Sequence, residues 1–405
     1  MDPLFEASAF TGYVYPNETV IPWSVLIVVY PYLTGLVAGS FTVSSLYHVF
    51  HMQQFKPVAR FSMLLALCLM LCVPMPLLLH LGHPERAFNA MITPHLTSAF
   101  AIFGYAASFY TILLLLENWF VYRPQIVQIA NEGRGPVRWI CRLATLGSDD
   151  VSERALSYDH RWIYALTVIG IPAALGLHGY VGFVFGSLKS REWWSSDLMP
   201  PVFLLSAVIS GTSLVILLYI LTSLARKVRI DESCIKGLAV TLWGFLVFAL
   251  LLEGVEFASL LYRSREGIDV ILTYVTGRLV LPFFILQLGL GSLVPLLLLA
   301  FALLRGFQGR ALIATVFACA FLVLGAVLLM RWNVVIGGQE ISKTGKGLVD
   351  YQPVLLGREG LLAAGFVLCA PLILMFVATR FLSPWAEQDR ATWLNAGRRA
   401  ALAQA

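Results

Sequence analysis

The sequence predicts an all-α protein: a polytopic transmembrane helical bundle of about nine spans, with its N-terminus outside and its C-terminus cytoplasmic. Three observations carry this. Of 405 residues, 59% are apolar and only 13% charged, against roughly 25% charged in a soluble domain. Runs of about 20 or more uncharged residues recur along the chain, each able to cross a hydrocarbon core of about 30 Å. Lys and Arg also fall unevenly, 18 on one set of alternate loops and nine on the other (Arg331 among them), with Arg278 just inside a span. The richer set is expected on the cytoplasmic side, so in a bacterium the chain lies in the inner membrane with its opposite loops in the periplasm.

The spans are expected over residues 24–47, 61–82, 97–120, 162–187, 201–224, 236–261, 278–304, 309–331 and 357–381. Segment 1–20 carries Asp2 and Glu6 and no basic stretch, so the first apolar run reads as a retained span, not a cleaved signal. Loop 121–160 is mixed in charge and suits amphipathic surface helices. The fifth span begins at Pro200-Pro201, as helices often begin at proline. Residues 270–304 are too few for two crossings and count as one. Loop 332–356 is placed outside, over the outer surface, and 383–405 forms an inner tail. A core over 21–335 is thus followed by an added loop and span over 336–382.

Few ionisable groups fall within spans, where each needs a partner or water. Glu253 and Glu256 stand three apart on one face of span six, and Arg278 opens span seven on the same side. They form either an Arg–Glu tie between helices or a proton-handling site in which two carboxylates share one cation. His178 and Tyr180 lie on span four, below the outer surface. An imidazole there is either a helix–helix hydrogen bond or, with the phenol, a donor to a quinone carbonyl. Gly35 and Gly39 would let span one approach closely and help form an amphipathic pocket. Glu117 reads as an inner interface charge or a proton entry. His48 and His51 read as inner interface residues, and a proton path from them or Glu117 would use Thr42, Ser44 and Ser45.

The +5 net charge lies in scattered short loops, not on one stripe, so no nucleic-acid partner is expected. The six cysteines are dispersed, with no spacing for an iron–sulfur cluster, structural zinc or disulfide framework. His80 and His83 stand three apart, but no further ligands complete a metal site. A b-type haem between His80 and His178 would need both imidazoles at one depth. A secondary transporter is the other rival reading, for which a faint glycine echo between 32–40 and 286–295 is the main support.

The segment Tyr180-Val181-Gly182, followed by Trp194, Pro201-Val202-Phe203-Leu204-Leu205-Ser206-Ala207 and Gly211, resembles the polysulfide-reductase NrfD (PsrC) family. YPYLTGLVAG from Tyr30 and LGHPERAF from Leu81 are similar to two further family motifs. The length resembles the larger members, found in quinone reductase complexes and alternative complex III. The resemblance implies a membrane subunit without haem or cluster of its own. It would exchange electrons between a quinone, expected to be menaquinone, and a periplasmic ferredoxin-like iron–sulfur subunit, within complexes holding molybdopterin-type or multihaem cytochrome subunits. It implies Tyr180 as a donor to the quinone carbonyl. This sequence departs from the family at His80 (usually Asp), at His83 (usually Arg), and near Trp23, where a family histidine is replaced and Asn17 is the substitute considered. Partner docking is expected at the turns holding Glu85-Arg86 and Trp193-Trp194.

Overall fold

The structure, a computed structural model, describes residues 10–95, 97–263 and 267–385. The first nine residues and most of the expected tail lie outside that range. Among the described residues, nine helices are long and apolar enough to cross a membrane. Strand β1 (Phe10–Tyr13) precedes α1 (Val25–His48), which is followed by α2 (Lys56–Cys72) and its continuation α3 (Pro74–His80). A short α4 (Asn89–Ile92) leads into α5 (Ala99–Glu132), and a surface helix α6 (Gly135–Ala144) separates it from α7 (Glu153–Gly186). Then come α8 (Met199–Ala225), α9 (Glu232–Arg263) and the short α10 (Ile268–Thr276). A π-helix (Val280–Leu293) continues as α11 (Val294–Leu304), and α12 (Gly309–Glu340), β2 (Lys346–Val349) and α13 (Leu361–Phe381) complete the chain.

The core forms where α1 crosses α8. A β-carbon on Gly39 would overlap the Ala207 carbonyl oxygen and lie 2.7 Å from Gly211 Cα, so the backbones touch. Lipid provides no hydrophobic drive to pair helices, and such small-residue contact supplies dispersion instead. Helices α2, α5 and α7 pack on one flank of this crossing; α9, the π-helix with α11, and α12 pack on the other.

Helices α5 and α7 each have 34 residues, about 51 Å at 1.5 Å per residue, well beyond a hydrocarbon core of about 30 Å. Most of the expected loop 121–160 is therefore helix: the last turns of α5, then α6, then the first turns of α7. Ser152 caps α7 by accepting from Ala155 N at 3.3 Å. Arg123 holds this end together. Its guanidinium grips buried Asp159 at 2.7–3.0 Å and donates to the Asp150 carbonyl at 2.7 Å. Truncating Arg123 to alanine strands the Asp159 carboxylate and should cost about 3–5 kcal/mol. Thermal unfolding in detergent checks this; an unshifted Tm would remove the pair from the stability of the fold.

At the opposite end β1 pairs antiparallel with β2, Phe10 facing Val349 and Tyr13 facing Lys346. Arg191 closes the C-terminus of α12, donating to the carbonyls of Gly338 at 3.3 Å, Gln339 at 3.4 Å and Ile341 at 2.6 Å. Burial pulls the Arg191 guanidinium below its ordinary range, with Glu18 opposing that shift. Glu18 also pairs with Lys343 at 2.8 Å. Loop 332–356 is not all loop, because α12 continues nine residues beyond its expected end at 331.

Candidate functional site

A cleft opens near the strand-bearing end between α8, α9, the π-helix and α12, about 770 Å³ counted with the solvent at its mouth. Trp193, Phe257 and Phe283 wall it, and Glu253, Gln287 and Asn333 supply polar atoms. A further space of about 450 Å³ continues it inward, sharing Val202, Glu253, Gln287 and Met330 and reaching Ser206. The polar side chains form a ladder. Asn333 Nδ2 donates to Gln287 Oε1 at 2.8 Å, and Gln287 Nε2 donates in turn to Glu253 Oε1. Trp193 Nε1 donates to the Asn333 carbonyl at 3.1 Å, which fixes the indole at the mouth.

Gln287 owes its position to the π-helix, 14 residues long, where such geometry usually lasts a single turn. Pro282 brings no N–H, and Gly291 lies against Ala326 where a β-carbon would collide. Ser292 Oγ donates to the Gln287 carbonyl at 3.0 Å, five residues back.

Ser206, which lines the inner space, is bonded to a buried cation behind it. Arg331 is fully buried, and its Nη2 donates to Ser206 Oγ at 2.6 Å and lies 3.2 Å from His178 Nε2. Its Cζ stands 3.8 Å over the Phe203 ring, a cation–π contact in desolvated surroundings. Among the described residues no carboxylate lies within ion-pair distance of it. The acceptor role of His178 Nε2 puts the imidazole proton on Nδ1. Gly35 makes room for that ring, since a β-carbon there would lie 3.2 Å from His178 Cε1.

The structure divides the residues expected at a quinone pocket. His178 and Gly35 meet, whereas Gly39 serves the α1–α8 crossing. Tyr180 does not join His178: two residues along a helix turn the side chain by about 200°, so Tyr180 is half-buried on another face, beside Phe183. His80 Nδ1 lies 3.0 Å from Glu359 Oε2 and 3.3 Å from Ser24 Oγ. Ser24 and Gly35 are about 16 Å apart along α1, so His80 and His178 lie at different depths and the two-histidine arrangement is not assembled. His83 is exposed and pairs with Glu85 at 2.9 Å, and Asn17 is exposed. Trp23 stacks on Trp194 at 5.2 Å. Trp194, expected in a docking turn, is buried, with its Nε1 donating to the Val334 carbonyl at 2.6 Å.

The proton-path residues also separate. Glu253 enters the ladder and Glu256 lines the outer cleft. Arg278 does not tie the two glutamates: it pairs with Asp350 at 2.6 Å and donates to the Val349 carbonyl at 3.2 Å, because the chain turns at Gly277 between α10 and the π-helix. Nearby, Tyr274 donates to Glu340 Oε2 at 2.6 Å, and burial, with that carboxylate beside it, pushes the phenol well above its ordinary pKa. Glu117 is not an interface charge. It is fully buried midway along α5 and accepts from Thr167. His48 ends α1, and His51 stacks on Tyr164 at 6.2 Å. Thr42, Ser44 and Ser45 donate to the backbone carbonyls of Ala38, Ala59 and Thr42 at 2.7–2.8 Å, so their hydroxyls do not form a chain.

Arg331, Gln287, Asn333 and Asp350 escaped the sequence reading. Its charge groups Arg331 with a loop, although the apolar run resumes as WNVVIGG directly after it.

Residues 15–342 match the family model described as polysulphide reductase, NrfD. The chain belongs to the NrfD family. This NrfD-family protein is 32% identical over 359 residues to a selenate reductase subunit of Mesobacillus selenatarsenatis, covering 82% of this chain and 80% of that protein. It is 28% identical over 291 residues to a putative dimethyl sulfoxide reductase membrane subunit of Halobacterium salinarum, covering 71% and 63% respectively. It is 25% identical over 281 residues to an Hdr-like menaquinol oxidoreductase integral membrane subunit of Archaeoglobus fulgidus, covering 69% and 62%. The NrfD-family chain is accordingly a multi-pass membrane subunit of a reductase or oxidoreductase complex, which implies further redox subunits.

Proposed function

We propose that this subunit exchanges electrons between a membrane quinone, menaquinone first among candidates, and an iron–sulfur subunit docked on the strand-bearing end. One observation carries the reading: a cleft between spanning helices with aromatic walls, in which Glu253, Gln287 and Asn333 form one hydrogen-bonded row. Quinone headgroups suit amphipathic pockets of this kind, with apolar contact on the ring faces and a few fixed polar atoms at the carbonyls. The menaquinol oxidoreductase relative supports the choice of quinone.

Oxidising a quinol releases two electrons and two protons. A docked iron–sulfur subunit would supply the electron acceptor, and this chain's own residues handle the protons. Glu253 accepts the two protons one at a time, releasing the first through the solvent-open mouth before it takes the second, and Gln287 orients its carboxylate by hydrogen bonding. Asn333 and Trp193 fix the mouth. Arg331, through Ser206, keeps a positive field at the inner end, where an oxygen gaining negative charge is stabilised. Reduction of quinone runs the same steps in reverse.

Quinol oxidation by the purified complex tests this. Tyr180→Phe should keep turnover within about twofold of wild type, because its hydroxyl lies outside the cleft. A large loss of turnover in Tyr180→Phe, with Glu253→Gln unaffected, would move the headgroup to the lipid-facing side of α7. Proton transfer across the membrane is a further part of the proposal, entering through Glu117 and the His48–His51 end. Liposomes holding the complex should develop a membrane potential during turnover, and a reaction without one would confine proton exchange to one side.

A further inference from the structure

Helix α6 presents three different faces. Val137, Cys141 and Ala144 turn toward the protein. Arg134, Arg138 and Arg142 form an exposed basic sector beside them, and no acidic residue occurs from Gly133 through Gly147. The remaining sector is apolar and uncovered: Trp139 is 70% exposed, Ile140 66% and Leu143 64%, with Leu146 following at 77%.

The helix is firmly placed. Trp119 Nε1 donates to the Ala144 carbonyl at 2.7 Å, and Arg138 Nε donates to the Ala130 carbonyl at 3.1 Å. These bonds hold α6 against the stretch of α5 that leaves the spanning region. Aromatic rings gather at the same level. Trp119 meets Phe120 edge-on at 4.9 Å, Phe120 stacks on Trp162 at 6.0 Å, and Tyr158 touches Trp162. Such rings mark the boundary between acyl chains and headgroups.

We propose that α6 lies in the plane of that boundary and binds anionic phospholipid. Its Trp139–Ile140–Leu143 face enters the upper acyl region, and the arginine sector takes the headgroup phosphates. An exposed apolar face on a soluble surface is a liability; at this depth it is covered by lipid, as in other in-plane amphipathic helices. Each basic residue near an anionic surface adds about 1 kcal/mol of attraction. Two arginines on the ten-residue helix, with Arg134 at its N-cap, therefore favour phosphatidylglycerol or cardiolipin over zwitterionic lipid. Quinone chemistry plays no part in this inference.

Two measurements on the full chain test it. Native mass spectrometry in detergent should show phosphatidylglycerol adducts that fall about 30-fold in Arg138→Gln/Arg142→Gln, the loss of about 1 kcal/mol for each of the two removed charges. Phosphatidylcholine adducts should not change, and equal adducts in both proteins would overturn the headgroup assignment. A nitroxide on Ile140→Cys, in a Cys369→Ser background because the other native cysteines are buried, reports what covers the face in nanodiscs. Greater relaxation by oxygen than by a water-soluble nickel complex is expected. Preferential nickel access would place the face in water, and protection from both would assign it to another protein; either result overturns the proposal.

Discussion

Replacing Gly39 by leucine is expected to leave almost no folded protein. A single β-carbon at this position already overlaps the Ala207 carbonyl oxygen, and Gly211 Cα stands 2.7 Å away. Nothing at this crossing can rotate aside, because the obstacles are backbone on both sides. The cost therefore exceeds the roughly 3 kcal/mol of an ordinary overpacked core. Separating α1 from α8 would also pull Gly35 from His178 and disturb the Arg331 cluster. Gly244→Ala is the control: a β-carbon there meets nothing within 4 Å, and the change should stay within about 0.5 kcal/mol of wild type. Size-exclusion yield and thermal unfolding read both variants. A normal monodisperse peak for Gly39→Leu would mean that the helices do not cross where the structure puts them.

Glu253→Gln should abolish most quinone-linked turnover while leaving the fold intact. The amide keeps the shape of the carboxylate and still presents an oxygen to Gln287, but it cannot take a proton. A positioned acid–base group contributes typically about 10²–10⁴-fold, and a loss in that range is expected in kcat, with the affinity for a quinone analogue nearly unchanged. Loss of analogue binding with normal residual kcat would instead make Glu253 a contact residue. Wild-type turnover would remove it from the chemistry.

The spans are legible because hydropathy needs only local composition, and its nine agree with the nine among the described residues, including the single crossing within 270–304. Helix ends were less legible. The run ending at 331 continues to Glu340 because an arginine breaks hydropathy without breaking helix, provided that Ser206, His178 and the Phe203 ring receive it. Nothing near Arg331 in the sequence announces those partners, which stand on α7 and α8. The same gap explains Arg278: its proximity along the chain suggested the glutamates of α9, whereas Asp350 comes from a loop more than 70 residues later. Gln287 was invisible for another reason. A π-helix alters the angular period that places side chains on faces, so face assignments at 100° per residue do not apply there. Tyr180 shows the converse, for the ordinary helical period alone separates it from His178.

The small sheet carries a consequence for how the chain is made. Thr344 Oγ1 donates to the Tyr13 carbonyl across 331 residues of sequence, and eight of the nine membrane helices lie between the two strands. At about 5–20 residues per second of synthesis, β1 waits at least about 15 s for β2 to exist. The extra-membrane seam therefore cannot close until the eighth helix has been threaded and its following segment delivered to the side where the N-terminal strand already stands, which leaves only α13 still to be placed. A ribosome stalled before residue 346 would leave an inserted bundle with that seam unsewn. Protease sensitivity of residues 10–20 reads that state.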